Sequence, residues 1–105
     1  MAYSLGRNGK IVALLWAKRL LSPPAKTRSS KILWVARASQ VPASDLQIGA
    51  QRMSGSRLLG AAVARRVMGG PGPSSINLPA AGRWRLRLSW SGRTDTIDLR
   101  YVANR

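Results

Sequence analysis

From Gly82 to Trp90 apolar and polar residues alternate without a break: Trp84, Leu86, Leu88 and Trp90 share one parity and Arg83, Arg85 and Arg87 the other. A period of two is the pattern of a half-buried strand. After Ser91-Gly92 the alternation resumes, with Ile97, Leu99 and Tyr101 on the apolar parity and Thr96, Asp98 and Arg100 on the polar one. The segment therefore predicts a β-hairpin. A Ser91-Gly92 loop opposes Arg85 to Asp98 and Leu86 to Ile97, whereas a Gly92-Arg93 loop opposes Arg87 to Asp98. Either register sets an acid among the arginines. Exposed ion pairs of this kind contribute about 0–1 kcal/mol each, against an upper bound of about 4–6 kcal/mol for burying one Trp, so burial holds the hairpin and charge only trims it.

Upstream, residues 1–9 read as a flexible lead-in. The apolar run from Lys10 to Leu21 fits a buried strand by its β-branched and aromatic content, although Ile11, Leu14, Leu15 and Lys18 also share a helical face. Ser22-Pro23-Pro24 ends it, because neither proline can donate to a ladder, and a basic, Ser-rich loop follows through Ser30. Lys31–Ala38 predicts a strand, Pro42–Asp45 a turn, and Leu46, Ile48 and Ala50, alternating with Gln47, Gly49 and Gln51, a short strand closed by Ser54-Gly55-Ser56. Residues 57–68 are ambiguous. Ser56 can cap a helix whose Leu59, Ala62, Val63 and Val67 share a face and which Gly69-Gly70 would end, while the surrounding rhythm of strands and turns favours extended chain. Gly69 to Pro73 is a turn cluster, and Ser75–Leu78 predicts a brief strand before Pro79. Strands every 8–15 residues predict an all-β fold, an antiparallel immunoglobulin-like β-sandwich spanning 10–105 as one domain, with one optional short helix near 57–68. Trp34, Trp84, Leu86, Leu88, Ile97, Leu99 and Tyr101 are its expected core.

The length of 105 residues allows one hydrophobic core, burying roughly 65% of the surface that the unfolded chain exposes. An apolar content of 45% with four Trp favours a folded domain over a disordered basic tail. Eighteen Lys and Arg against three Asp give a net charge of +15, which attracts nucleic acid, anionic lipid or acidic polysaccharide by charge alone. Arg, Ala and Gly are also encoded by GC-rich codons, so a GC-rich genome can produce this composition with no anionic partner. The candidate anion-binding surface is the stripe Arg83, Arg85, Arg87 and Arg100, with a merely solvated sheet face as the alternative. Trp84, Trp90 and Tyr101 lie on the opposite parity, which denies the stripe an aromatic platform for stacking bases. Ser74-Ser75 among glycines is a weaker anion site, lacking the lysine and following helix of a phosphate loop. Arg65-Arg66 would extend the patch if the fold brought them near Lys18-Arg19.

The absence of Cys and His removes thiol nucleophiles, imidazole bases and the usual zinc sites, so no metal or other cofactor is expected. Asp95 and Asp98 fall on opposite faces of one strand and Asp45 is remote in sequence, which leaves no carboxylate pair. A serine nucleophile would need lysine as its base. Lys31 is the one lysine beside a strongly apolar strand, next to Ser29 and Ser30, at a strand mouth where water keeps it charged. The expectation is a non-enzymatic protein with no small-molecule substrate. Ile11–Leu21 is too short to span a bilayer, is broken by Lys18 and Arg19 and is followed by no cleavage site; a basic, apolar presequence is the alternative reading.

At Gly72-Pro73-Ser74-Ser75-Ile76-Asn77-Leu78-Pro79-Ala80-Ala81-Gly82-Arg83-Trp84 the chain resembles small bacterial cell-envelope and secreted lipoprotein domains, in which a Pro-x-x-Gly-Cys-Trp turn opens the penultimate strand of an immunoglobulin-like sandwich. Lys31-Ile32-Leu33-Trp34 is similar to a Trp-bearing strand of such domains, and the likeness covers residues 31–103. It departs where Arg83 stands in place of Cys, in the missing acylated Cys and signal sequence, and in the high positive charge. The resemblance implies a binding or structural module of the cell envelope or a secreted protein; a chain that starts almost directly in a strand would fit a truncated or mis-started gene product. The rival expectation is an intracellular nucleic-acid-binding basic β domain.

Overall fold

Alternating apolar positions recur along most of the chain, and in the computed structural model, which describes residues 2–15, 20–22, 31–36 and 45–103, they build two facing sheets. The strands are β1 (Ala2–Leu5), β2 (Ile11–Leu15), β3 (Leu20–Ser22), β4 (Lys31–Ala36), β5 (Leu46–Ser54), β6 (Arg57–Val67), β7 (Pro73–Ser75), β8 (Gly82–Trp90) and β9 (Arg93–Ala103). One sheet has the order β1-β2-β4-β7 and the other β3-β9-β8-β5-β6. The fold is an all-β sandwich. Every pairing is antiparallel except that of β3, which runs parallel to β9 with Leu20 opposite Tyr101. The apolar run Lys10–Leu21 is thus divided between the sheets, β2 lying in one and β3 in the other.

The β8–β9 hairpin adopts the register that a Ser91-Gly92 loop dictates, with Trp90 opposite Arg93, Leu86 opposite Ile97 and Arg85 opposite Asp98. Ser91 and Gly92 have φ of 45° and 74°, as a two-residue type I′ turn requires, and its twist matches that of the strands it joins. All seven residues expected in the core are buried, together with Ile11, Ala13, Ile32, Leu46, Ile48, Ile76, Leu78 and Trp90. The polar handles of the large aromatics are mostly satisfied where they lie. Trp84 Nε1 donates to the Ala80 carbonyl at 2.9 Å, Trp34 Nε1 to Ser74 Oγ at 3.2 Å, and the Tyr101 hydroxyl to the Ile76 carbonyl at 2.6 Å. Trp90 Nε1 finds no acceptor among the described residues.

Three readings are resolved or corrected. Residues 57–67 take the extended alternative and form a strand, without the optional helix. The helical spacing there is a period-two pattern shifted by an irregularity: Ala50 pairs with Val63 and Arg52 with Leu59, so Gly60, Ala61 and Ala62 together face Gln51 alone. Gln51 Nε2 donates to the Gly60 carbonyl across this bulge at 2.6 Å. Ala62 and Leu59, half of the supposed helical face, end up exposed. The brief strand expected at 75–78 sits earlier, at Pro73–Ser75, while Ile76 and Leu78 drop into the core as plugs outside any strand.

The third correction concerns residues 1–9, which are no loose lead-in: β1 pairs with β2 from Ala2 opposite Leu15 to Leu5 opposite Val12. Arg37, Ala38, Pro42, Ala43, Ser44 and residues 23–30, where a loop is expected, lie outside the described residues.

Replacing Trp84 by Ala removes an indole buried between the sheets and is expected to cost about 3–5 kcal/mol, a large part of the roughly 5–15 kcal/mol that holds a domain folded. Denaturant unfolding reads this directly. A loss under about 1 kcal/mol would show that Trp84 is not part of what joins the sheets.

Candidate polyanion-binding face

The residues of opposite parity to the core emerge on the outer face of the five-stranded sheet. Arg83, Arg85 and Arg87 project from β8 with Arg100, Asp98 and Thr96 opposite them on β9. Arg83 and Arg100 are directly paired like charges, an unfavourable arrangement by itself. Asp98, the neighbouring acid, relieves it. Its carboxylate accepts a two-pronged contact from Arg85, Nε to Oδ1 at 3.0 Å and Nη2 to Oδ2 at 3.2 Å, and lies 3.4 Å from Arg7 and 4.0 Å from Arg83. The hydrogen bond from Arg85 holds the Asp98 carboxyl below the usual carboxylate range, and the charges of Arg85 and Arg7 add to this against the opposing effect of burial. The same bond raises the Arg85 guanidinium. Among the described residues, Arg87 and Arg100 have no ion-pair partner. With Arg7, the β8–β9 stripe therefore carries five guanidiniums against the one carboxylate of Asp98.

Beside Arg87 a shallow cleft is lined by Asn8, Ser89, Thr94 and Thr96 as well as Asp95. A guanidinium and three hydroxyls there can donate to phosphate, sulfate or carboxylate oxygens. Asp95 does not compete for such a ligand's donors, because backbone N–H groups already engage its carboxylate: those of Asn8 at 2.9 Å, Lys10 at 2.9 Å and Thr96 at 2.8 Å. Burial alone would raise the Asp95 carboxyl. The N–H bonds from Asn8, Thr96, Lys10 and Ile11 outweigh that, and the carboxyl titrates below its ordinary range.

Of the sequence-predicted stripe, all four arginines share this face, and Trp84, Trp90 and Tyr101 are buried behind it. Burial also raises the Tyr101 phenol. Arg7 is the member that sequence reasoning missed. The β1–β2 turn carries it to the sheet, where its N–H donates to the Thr96 carbonyl at 2.9 Å. Asn8-Gly9, a favoured hairpin-turn dipeptide between two short apolar runs, is the signal that could have found it. Arg65 and Arg66 do not join the stripe's acid: Arg65 Nε donates to the Asn77 carbonyl at 3.0 Å and Arg66 lies 3.5 Å from Asp45. Lys18, Arg19, Ser29 and Ser30 lie outside the described residues. Lys31 is exposed at the start of β4, opposite Ser75, and Ser74 accepts the Trp34 N–H. Among the described residues no three metal-ligating side chains come together. No helix among them is long and apolar enough to cross a membrane.

No protein-family model, curated protein or solved structure matches this chain.

The lowered carboxyls set an expected acid limb. A carboxyl whose pKa falls on folding adds stability that is complete above its unfolded value, about 3.9, and disappears as pH falls through the folded value. Thermal midpoints should therefore be level with respect to these two groups between about pH 7 and 5 and drop below about pH 4. Asp98→Asn and Asp95→Asn should each flatten that drop. An acid limb unchanged in both variants would contradict the assignment.

Proposed function

We propose that this chain is a non-enzymatic β-sandwich binding module that holds a polyanion on the outer face of its five-stranded sheet. The observation that carries the reading is the convergence of Arg7, Arg83 and Arg85 on the Asp98 carboxylate, with Arg87 and Arg100 beside them on the same two strands. Asp98 orders the inner guanidiniums, and Arg87 and Arg100 are left to meet phosphate, sulfate or carboxylate groups. Binding of this kind is electrostatic and indifferent to sequence, since the aromatic rings that could stack bases are in the core. A sequence without His or Cys supports a non-catalytic role, as does the engagement of every acid: Asp45 with the Gly69 N–H and Arg66, Asp95 with backbone, and Asp98 with arginines.

The immunoglobulin-like reading belongs to the same proposal. The order β9-β8-β5-β6 corresponds to G-F-C-C′ and β2-β4-β7 to A-B-E in that architecture, with the D strand missing between β6 and β7. Residence in a bacterial cell envelope or secreted protein rests on the resemblance at residues 72–84 and 31–34.

Double-stranded DNA is a sufficient probe. The logarithm of its affinity should fall linearly with the logarithm of salt concentration, with a slope near −0.9 per phosphate contacted. Arg87→Ser and Arg100→Ser combined should reduce that slope by about two. Unchanged binding by the double variant would remove this face as the site. A sequence-selective complex that persists above about 0.5 M salt would replace electrostatic capture with specific nucleic-acid recognition.

A further inference from the structure

The two central strands of the four-stranded sheet, β2 and β4, carry apolar residues on both parities. Ile11-Val12-Ala13-Leu14-Leu15 and Ile32-Leu33-Trp34-Val35 are continuous runs of the kind found in strands covered on both faces. Among the described residues only one face is covered. Ala13, Ile32 and Trp34 point into the core and are fully buried. The other parity forms two cross-strand rows on the outside, Tyr3–Leu14–Leu33 and Leu5–Val12–Val35. Tyr3 is 70% exposed, Leu5 61% and Val35 41%, and a groove runs between Leu5, Val12 and Val35. A contiguous apolar face of this kind marks a contact surface.

Two features on the page select what covers it. The first is charge. All three acids belong to the other sheet or its lead-in, while the apolar rows are flanked by the exposed Lys31 on β4 and Lys10 in the β1–β2 turn. The second is area. Three strands about 4.8 Å apart and about five residues long offer a footprint on the order of 200 Å², well short of the roughly 800 Å² per partner of a stable protein interface. A second copy would bring the same small face together with another +15 of charge. A bilayer needs no shape-matched partner surface: binding there scales with the apolar area buried plus the attraction of anionic lipids, so a small face suffices where charge adds to it. It takes apolar side chains and Tyr at the headgroup boundary, and its anionic lipids attract lysines beside them.

We infer that the outer face of the four-stranded sheet seats on an anionic lipid bilayer, with Tyr3, Leu5 and Val35 entering the boundary between headgroups and acyl chains. Docked in this way, the molecule turns its arginine-bearing face towards water.

The chain has no Cys, so one introduced thiol can carry an environment-sensitive fluorophore at a single place. Leu5→Cys reports on the apolar face and Ser89→Cys, at an exposed position of β8, on the opposite one. With vesicles of phosphatidylcholine and phosphatidylglycerol, the label at position 5 should brighten several-fold and be quenched by acyl-chain-borne quenchers. The label at position 89 should stay in water, and vesicles of phosphatidylcholine alone should produce little change at either. A label at 89 that enters the bilayer while that at 5 does not would overturn the inference in favour of the arginine face. So would silence at both positions, or a dimer in sedimentation equilibrium that Leu5→Ser returns to monomer.

Discussion

Everything that either outer face presents depends on how one buried carboxylate is held. Asp95 sits on the apolar parity of β9, where Ile97, Leu99 and Tyr101 point into the core, and it is 2% exposed. Burying an ionised carboxyl costs several kcal/mol. Hydrogen bonds to a charged acceptor contribute about 1.5–3 kcal/mol each, so the three backbone N–H donors of Asn8, Lys10 and Thr96 are enough to offset that cost. Two of them, Asn8 and Lys10, come from the β1–β2 turn, which belongs to the other sheet. The chain passes so close that a Cβ at Gly6 would collide with the carboxylate. Asp95 is thus a polar latch between two sheets otherwise joined by apolar packing.

The latch has consequences on both sides of the sandwich. By fixing the turn on β9 it lets the Arg7 N–H reach the Thr96 carbonyl and the Arg7 side chain reach Asp98, adding a guanidinium to the basic face. It also anchors the hairpin whose Tyr3, Leu5, Val12 and Leu14 form four of the six positions of the apolar rows on the opposite surface. One surface is charged and the other apolar because the strands behind them differ. β8 alternates strictly and β9 does so from Thr96 to Tyr101, leaving arginines outside, whereas β2, and β4 beyond Lys31, are apolar at every position and leave side chains exposed on the outer face.

Alternation made β8, β9 and the arginine stripe legible in the sequence and narrowed their register to two alternatives, between which the Ser91-Gly92 turn decides. It failed where a local feature shifted the phase. The bulge across from Gln51 rearranged the β6 pattern into helical spacing, and propensity within residues 57–68 cannot distinguish the two. Residues 2–5 are too short for periodicity to register, and their strand exists because β2 pairs with them. Asp95 did leave a trace: a charged residue on the buried parity of an otherwise regular strand signals a buried polar contact. Its partners are backbone amides, which no side-chain pattern reveals, and so the latch emerges only with the tertiary structure.

Amide hydrogen exchange tests the latch most directly. In the native chain the N–H groups of Asn8 and Lys10, although they lie in a surface turn, should exchange as slowly as strand amides. In Asp95→Asn their exchange should accelerate by at least about tenfold, equivalent to about 1.4 kcal/mol of lost local stability, with a smaller change at Ile48 and Leu86 in the centre of the five-stranded sheet. Rapid exchange of Asn8 and Lys10 in the native chain, or rates indifferent to Asp95→Asn, would contradict the account.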